Sequence, residues 1–66
     1  MYWYRIYYRY NEITHIFTQL AHGGADLFKQ IDLIVNIFKA DVLKVECAKS
    51  IIELNDKFTD DIEGVI

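Results

Sequence analysis

The sequence predicts an α+β fold in which an N-terminal β-hairpin precedes one amphipathic helix, a third strand and a short C-terminal helix. Three observations carry this prediction. The opening residues alternate with the period of a strand, an apolar stripe with helical spacing follows two glycines, and the segment "DVLKVEC" alternates again. A chain of 66 residues, 53% hydrophobic and 26% charged, is expected to form a single globular domain, 1–66.

The first strand is predicted over residues 2–10, "YWYRIYYRY", because Tyr and Trp favour a pleated surface. Its alternation places the side chains on two faces that differ in chemistry. One face is aromatic with Ile6 at its centre, between Tyr4 and Tyr8. The other face mixes aromatic and basic residues, namely Trp3, Arg5, Tyr7 and Arg9.

The next segment, residues 13–21 or "ITHIFTQLA", has two interpretations. Its apolar residues follow helical spacing, with Asn11 as an N-cap and Gly23 as a stop. However, its β-branched residues lose rotamer freedom in a helix, and the first strand needs a neighbour. We therefore predict a strand. The alternative is a strand followed by helices, which would form a ribbon-helix-helix-like dimer.

A two-residue loop of Asn11 and Glu12 fixes the pairing of the predicted hairpin, because Asn tolerates the positive φ that such turns require. Tyr10 then lies opposite Ile13, and counting outward places Ile6 opposite Phe17. The face that contains Ile6 makes the better core. We therefore expect the face with Trp3, Arg5, Tyr7 and Arg9, together with Ile16 and Leu20 of the second strand, to be exposed.

The best-supported helix covers residues 25–39, with Asp26 in its first turn and Lys39 in its last, as the helix dipole prefers. Six apolar residues form a stripe of about 120° that is expected to face the core. They are Leu27, Phe28, Ile31, Ile34, Val35 and Phe38, whereas Leu33 and Ile37 fall outside the stripe.

The remaining elements are a strand over residues 42–48 and a short helix over 51–58, followed by an acidic tail, 59–66. Alternation in the strand predicts Leu43, Val45 and Cys47 pointing inward, with Lys44 and Glu46 pointing outward. Ser50 and Glu53 have capping-box spacing, and the helix has apolar residues that can pack below it. These residues are Ile51, Ile52 and Phe58.

In element order, this chain resembles the small ββαβ proteins that are common in phage genomes. The segments that carry the resemblance are "YRIYYRYNEITHIF" and "ADVLKVEC", and the chain departs from the pattern in having Gly23-Gly24 where a Ser or Asp cap is usual. Neither segment is a functional motif. Phage proteins of this size include anti-CRISPR proteins and other inhibitors of host defence, and the resemblance implies that this chain is a protein of that kind.

Catalytic and metal-binding motifs are lacking in this sequence. His15, His22 and Cys47 are the only soft metal ligands, and their spacing matches no zinc motif. The glycine pair lacks the Lys-Ser/Thr of a phosphate loop. We therefore predict a protein that is not an enzyme and has no cofactor or metal. One cysteine and an N-terminus unlike a signal peptide predict an intracellular protein. The resemblance to phage-encoded proteins implies that its location is the cytoplasm of a bacterial host cell.

These observations predict a protein-binding module, an inhibitor that blocks a host protein by occupying its surface. Trp, Tyr and Arg dominate binding energy at interfaces, so the exposed hairpin face is the predicted anchor. Residues 26–66 have nine acidic residues against five lysines, and an acidic surface would attract a basic, nucleic-acid-binding target. The candidate acidic contacts are Glu53, Asp56, Asp60, Asp61 and Glu63.

Two alternatives have a different class of partner. The aromatic and basic strand could bind nucleic acid directly, although a pI of about 5.1 disfavours this because neutralising the phosphate backbone supplies most of such affinity. A homo-oligomeric structural protein would satisfy its own apolar surface, since exposed strand edges in a small sheet invite pairing. No segment is long and apolar enough to predict a membrane span.

Overall fold

A computed structural model describes the backbone of residues 1–58 and the side chains of residues 1–56. The order strand, strand, helix, strand, helix confirms the predicted α+β fold. A π-helical segment, Leu33–Ile37, directly continues the first helix. The elements are β1 (Tyr2–Tyr10), β2 (Ile13–Ala21), α1 (Gly24–Asp32), β3 (Asp41–Ala48) and α2 (Ile51–Phe58).

The N-terminal hairpin has the register that the two-residue loop predicts. Tyr10 lies opposite Ile13 and Ile6 opposite Phe17, so residues 13–21 form a strand and the ribbon-helix-helix alternative is wrong. Asn11 and Glu12 have φ values of 53° and 63°. Positive φ at both loop residues is characteristic of the type I′ turn, whose twist matches that of the paired strands.

The three strands form one antiparallel sheet in the order β2-β1-β3, so β1 is the central strand. Ile6 of β1 lies opposite Val45 of β3. The register of this pair shifts between Tyr7 and Tyr8, where a β-bulge places Leu43 as the additional residue on β3. In the described part of the chain, β2 and β3 are therefore the two edges of the sheet.

One face of the sheet, here called the α1 face, forms the main core with α1 and the π-helical segment. Tyr4 and Ile6 are buried there together with Ala21, Ile34 and Ala40. Partly buried apolar residues pack around this cluster, namely Tyr2, Tyr8, Phe17, Leu27, Ile31 and Val42.

Only half of the predicted helical stripe reaches this core. Leu27, Ile31 and Ile34 do so, whereas Phe28, Val35 and Phe38 are exposed and their predicted burial is wrong. Two physical reasons explain the difference. The π-type hydrogen bonds of Leu33–Ile37 give the helix more residues per turn, which rotates the later residues off the stripe. The sheet beneath has only three strands, which limits the apolar area that it can cover.

The ends of this helical segment are held by backbone and side-chain hydrogen bonds. Gly23 has no capping side chain, and instead the Asp26 carboxylate accepts a hydrogen bond from the His22 N–H at 2.9 Å. At the other end, Lys39 adopts a left-handed φ of 58°. The N–H of Ala40 then donates to the carbonyl of Ile34 at 3.0 Å, which satisfies a carbonyl near the helix end.

The second helix packs on the opposite face of the sheet, here called the α2 face. The predicted capping residues do hold the start of α2. Ser50 Oγ accepts from the Glu53 N–H at 3.2 Å, and Glu53 Oε2 accepts at 3.2 Å from the N–H of Lys49, one residue before the N-cap. Leu54 is fully buried. Ile52, which was expected to pack beneath the helix, is 72% exposed, and this expectation is wrong because Ile52 lies on the outer side of α2.

The burial of the β3 side chains is opposite to the prediction. Leu43, Val45 and Cys47 are exposed, while Glu46 is buried. Alternation alone cannot say which face of a strand is covered. Here Val45 and Cys47 lie beside Ile6 and Tyr4 at the edge of the α1 face, beyond the reach of α1, and Glu46 lies beside Arg5 under α2.

Candidate partner-binding surface

The predicted anchor, the face with Arg5 and Tyr7, is largely covered in the structure. Tyr7 is 1% exposed and Arg5 is 7% exposed, so the expectation that these two side chains are open to a partner is wrong. The physical reason is α2, an amphipathic helix whose apolar side needs an apolar surface. Leu54 of α2 is buried on the α2 face, and α2 thereby covers an aromatic face of the hairpin that would otherwise be exposed to water.

Arg5 connects three elements through its guanidinium group. Its Nε donates to Thr18 Oγ1 of β2 at 2.8 Å, one terminal nitrogen donates to Asn55 Oδ1 at 2.7 Å, and the other donates to the Leu54 carbonyl at 3.5 Å. A guanidinium group has five N–H donors in a rigid fork, which suits this use. Arg5 is therefore a structural residue that holds α2 on the hairpin.

Tyr7 and Glu46 form a second polar contact beneath α2. The Tyr7 hydroxyl donates to Glu46 Oε1 at 2.6 Å, and Glu46 Oε2 lies 3.2 Å from Lys44 Nζ. Lys44 Nζ also lies 5.8 Å from the centroid of the Tyr7 ring. Burial raises the pKa of the Tyr7 phenol above its ordinary value of 10.0, and the hydrogen bond to Glu46 raises it further.

The other predicted anchor residues lie on the open side of the same face. Trp3 and Leu20 are half-buried opposite each other, Ile16 is partly exposed and Arg9 is exposed. A depression of about 220 Å³ opens here and is lined by Arg5, Ile16, Thr18 and Asn55. Pockets for small organic ligands usually have volumes of roughly 300–1,000 Å³, so this depression is small by comparison.

A contiguous apolar surface lies at the end of the molecule that contains the hairpin loop. Phe38 is 48% exposed and meets the ring of Tyr10 edge-on, with centroids 6.1 Å apart. Ile13, directly opposite Tyr10, is 60% exposed. We call Tyr10, Ile13 and Phe38 the tip patch. Its three members come from β1, β2 and the turn after the π-helical segment, so the fold brings together residues that are distant in sequence.

More exposed apolar side chains line the helical segment next to the tip patch. Phe28 is 70% exposed, and Leu33, Val35 and Ile37 are also exposed. The sequence contained one signal of this surface, because Leu33 and Ile37 fell outside the predicted stripe. The tip patch itself was missed, since it depends on where the helix ends relative to the hairpin.

The predicted acidic contacts are only partly described. Glu53 and Asp56 lie on α2 and are exposed, and the Glu53 carboxylate accepts a hydrogen bond from the Lys49 N–H. Asp60, Asp61 and Glu63 lie outside the described residues.

Within residues 1–58, no three His, Cys, Asp or Glu side chains lie close enough to share a metal ion. His15 stacks on Tyr8 with ring centroids 5.2 Å apart, and His22 and Cys47 are exposed at other positions. The helices of this part of the chain are too short or too polar to cross a membrane.

No protein-family model, curated protein or solved structure matches this chain. The resemblance to small phage-encoded ββαβ proteins therefore stays a prediction.

Proposed function

We propose that this protein is a non-enzymatic protein-binding module that occupies the surface of a partner protein through its tip patch. The observation that carries the proposal is the contact between Phe38 and Tyr10 beside the exposed Ile13. Exposed apolar side chains that adjoin one another mark interaction sites more often than single exposed ones do. Tyr10 also offers a rigid ring with a polar end, as is typical of residues that dominate binding energy.

The mode of action that we propose is inhibition by occupation, as in the phage-encoded inhibitors that the sequence resembles. A patch on a rigid hairpin end suits this mode because little conformational entropy is lost on binding. The acidic residues of α2 would then favour a partner with a basic surface through long-range attraction.

A pull-down from bacterial host lysate tests the patch with two matched variants, Ile13→Thr and Ile52→Thr. Both replace an exposed isoleucine by the β-branched threonine, but Ile52 lies on α2, outside the tip patch. Burial of one Ile side chain contributes about 1.5–3 kcal/mol, so Ile13→Thr should weaken capture at least about tenfold while Ile52→Thr retains it. A partner that both variants retain equally would refute the tip patch as the anchor.

A gel-shift experiment tests whether the partner is a nucleic acid instead of a protein. A gel-shift assay with single-stranded and double-stranded DNA at about 50 mM salt detects electrostatic affinity where it is strongest. We expect no shift, since Arg5 and Tyr7 are occupied inside the fold. A shift that Arg9→Ala abolishes would replace the proposal with nucleic-acid binding.

A further inference from the structure

The outer edge of β3 carries a pattern that complements itself. Lys44 and Glu46 lie on either side of Val45, and Leu43 and Cys47 lie beyond them. When the strand direction is reversed about Val45, Lys44 takes the place of Glu46 and Leu43 takes the place of Cys47. An antiparallel partner strand with the same sequence would meet this edge with opposite charges and matching apolar side chains.

We propose that β3 is the seam of a homodimer, in which the β3 strands of two copies pair antiparallel about a two-fold axis at Val45. Val45 then lies opposite Val45 of the second copy, Lys44 opposite Glu46, and Leu43 opposite Cys47. The two sheets join into one sheet of six strands. This interaction goes beyond the proposed partner binding, because it uses a different surface from the tip patch.

The exposure of β3 is consistent with this pairing. β3 is an edge strand among the described residues, and its side chains at Leu43, Val45 and Cys47 are exposed although all three are apolar or weakly polar. The β-bulge lies at Leu43, so the two-fold axis places one bulge on each side of Val45 and leaves the segment from Lys44 to Glu46 in regular pairing with β1. A regular segment presents the evenly aligned backbone groups that a second strand needs.

The charges select one register. Side chains stay on their own face only when the pairing shifts by two residues at a time. A shift of two residues in one direction places Lys44 opposite Lys44, and a shift in the other direction places Glu46 opposite Glu46. Lys44 and Glu46 already contact each other within one chain, so a like-charge register would add a second ammonium or carboxylate to a paired site, whereas the proposed register joins two such pairs into one network.

Disulfide trapping tests the register directly. Residues directly opposite across an antiparallel pair have Cα atoms about 4.5–5.5 Å apart, within the range that a disulfide can bridge. The variant Val45→Cys/Cys47→Ala should therefore form a covalent dimer under mild oxidation. In the proposed register the two Cys47 residues are four positions apart along the strand, about 14 Å, so the unaltered protein should not cross-link. The variant Leu43→Cys/Cys47→Ala has the same spacing and is the matched control.

Sedimentation between about 10 µM and about 1 mM protein measures the dimer without any cross-link. Val45→Lys places two ammonium groups opposite each other at the axis and should raise the dissociation constant at least about tenfold, whereas Val45→Thr should retain the dimer. Circular dichroism shows whether each variant is folded. A monomer at every concentration, or equal cross-linking of the Val45→Cys and Leu43→Cys variants, would overturn the proposal.

Discussion

At the scale of single residues, three residues other than glycine among residues 1–58 adopt a positive φ, and Asn11 is the one whose type tolerates it. Glu12 has φ of 63° in the hairpin loop and Lys39 has φ of 58° after the π-helical segment. A left-handed conformation costs a residue with a Cβ atom roughly 1–2 kcal/mol relative to the right-handed one. The structure keeps both residues there because the hairpin register and the helix end require it.

We therefore expect Glu12→Gly to raise the free energy of unfolding by about 1 kcal/mol. Glycine adopts positive φ without the steric cost, and Asn-Gly is the preferred sequence of a type I′ turn. Urea denaturation followed by circular dichroism measures the change. Glu12→Ala is the control, since it removes the same carboxylate but keeps Cβ, and it should give no gain. Equal gains in both variants would show that the charge of Glu12, and not its φ, is the source of the cost.

At the scale of elements, the packing of α2 on the sheet depends mainly on one of its described side chains, that of Leu54. Leu54 is fully buried on the α2 face, while Ile52 is exposed. Arg5 adds hydrogen bonds to the Leu54 carbonyl and to Asn55. A helix of eight residues is too short to be stable alone, so its presence depends on this packing.

Leu54→Ala should accordingly lower the free energy of unfolding by about 2–5 kcal/mol, because it removes buried methyl groups and leaves a cavity. Ile52→Ala removes apolar groups from the same helix and should change stability by less than about 0.5 kcal/mol, because its side chain faces solvent. Urea unfolding of the two variants is the measurement. Similar losses in both would mean that α2 is stabilised by helix propensity and not by docking.

The hairpin was predictable from the sequence because local chemistry determines it. A two-residue loop that starts with Asn and nine residues rich in Tyr and Trp specify both strands and their register. Residues 13–21 have helical periodicity, but their β-branched residues favour a strand. They form β2 because pairing with β1 provides backbone hydrogen bonds for them.

The candidate site was less predictable, since it depends on which face α2 covers. The sequence predicts α2 and its capping residues. No pattern in residues 51–58 indicates that Leu54 packs on the α2 face, which contains Arg5 and Tyr7. For the same reason the predicted burial of the β3 side chains is wrong, since Glu46 is buried on the α2 face, where Tyr7 and Lys44 contact it. Turns and helix caps depend on residues that are close in sequence, whereas contacts between elements depend on residues that are far apart in sequence.

At the scale of the whole molecule, a buried tyrosine lies on each face of the central strand. Tyr4 is buried on the α1 face and Tyr7 on the α2 face. Burial raises the pKa of the Tyr4 phenol, and the Asp26 carboxylate raises it further. The pKa of the Tyr7 phenol is raised by burial and by Glu46. Both layers of the fold therefore favour the neutral phenol.

The free energy of unfolding should consequently fall as the pH rises above about 10. Below that pH both tyrosines are neutral in the folded and unfolded states, whereas above it the unfolded chain releases protons that the folded chain retains. Urea denaturation between about pH 8 and about pH 11 measures this dependence. Tyr7→Phe should make it less steep, because it removes one of the two buried phenols. A slope in Tyr7→Phe equal to that of the unaltered protein would contradict the assignment to buried phenols.

The central position of β1 has a consequence for how the protein is made in the cell. β1 is synthesised before both of its neighbours, and its second neighbour starts only at Asp41. Until that segment leaves the ribosome, the nascent chain can form the hairpin but cannot cover one edge of it, and an isolated hairpin is only marginally stable. Folding of the whole sheet therefore waits until β3 has been synthesised, and a chain that stops before β3 is left as an aromatic hairpin exposed to proteolysis and aggregation.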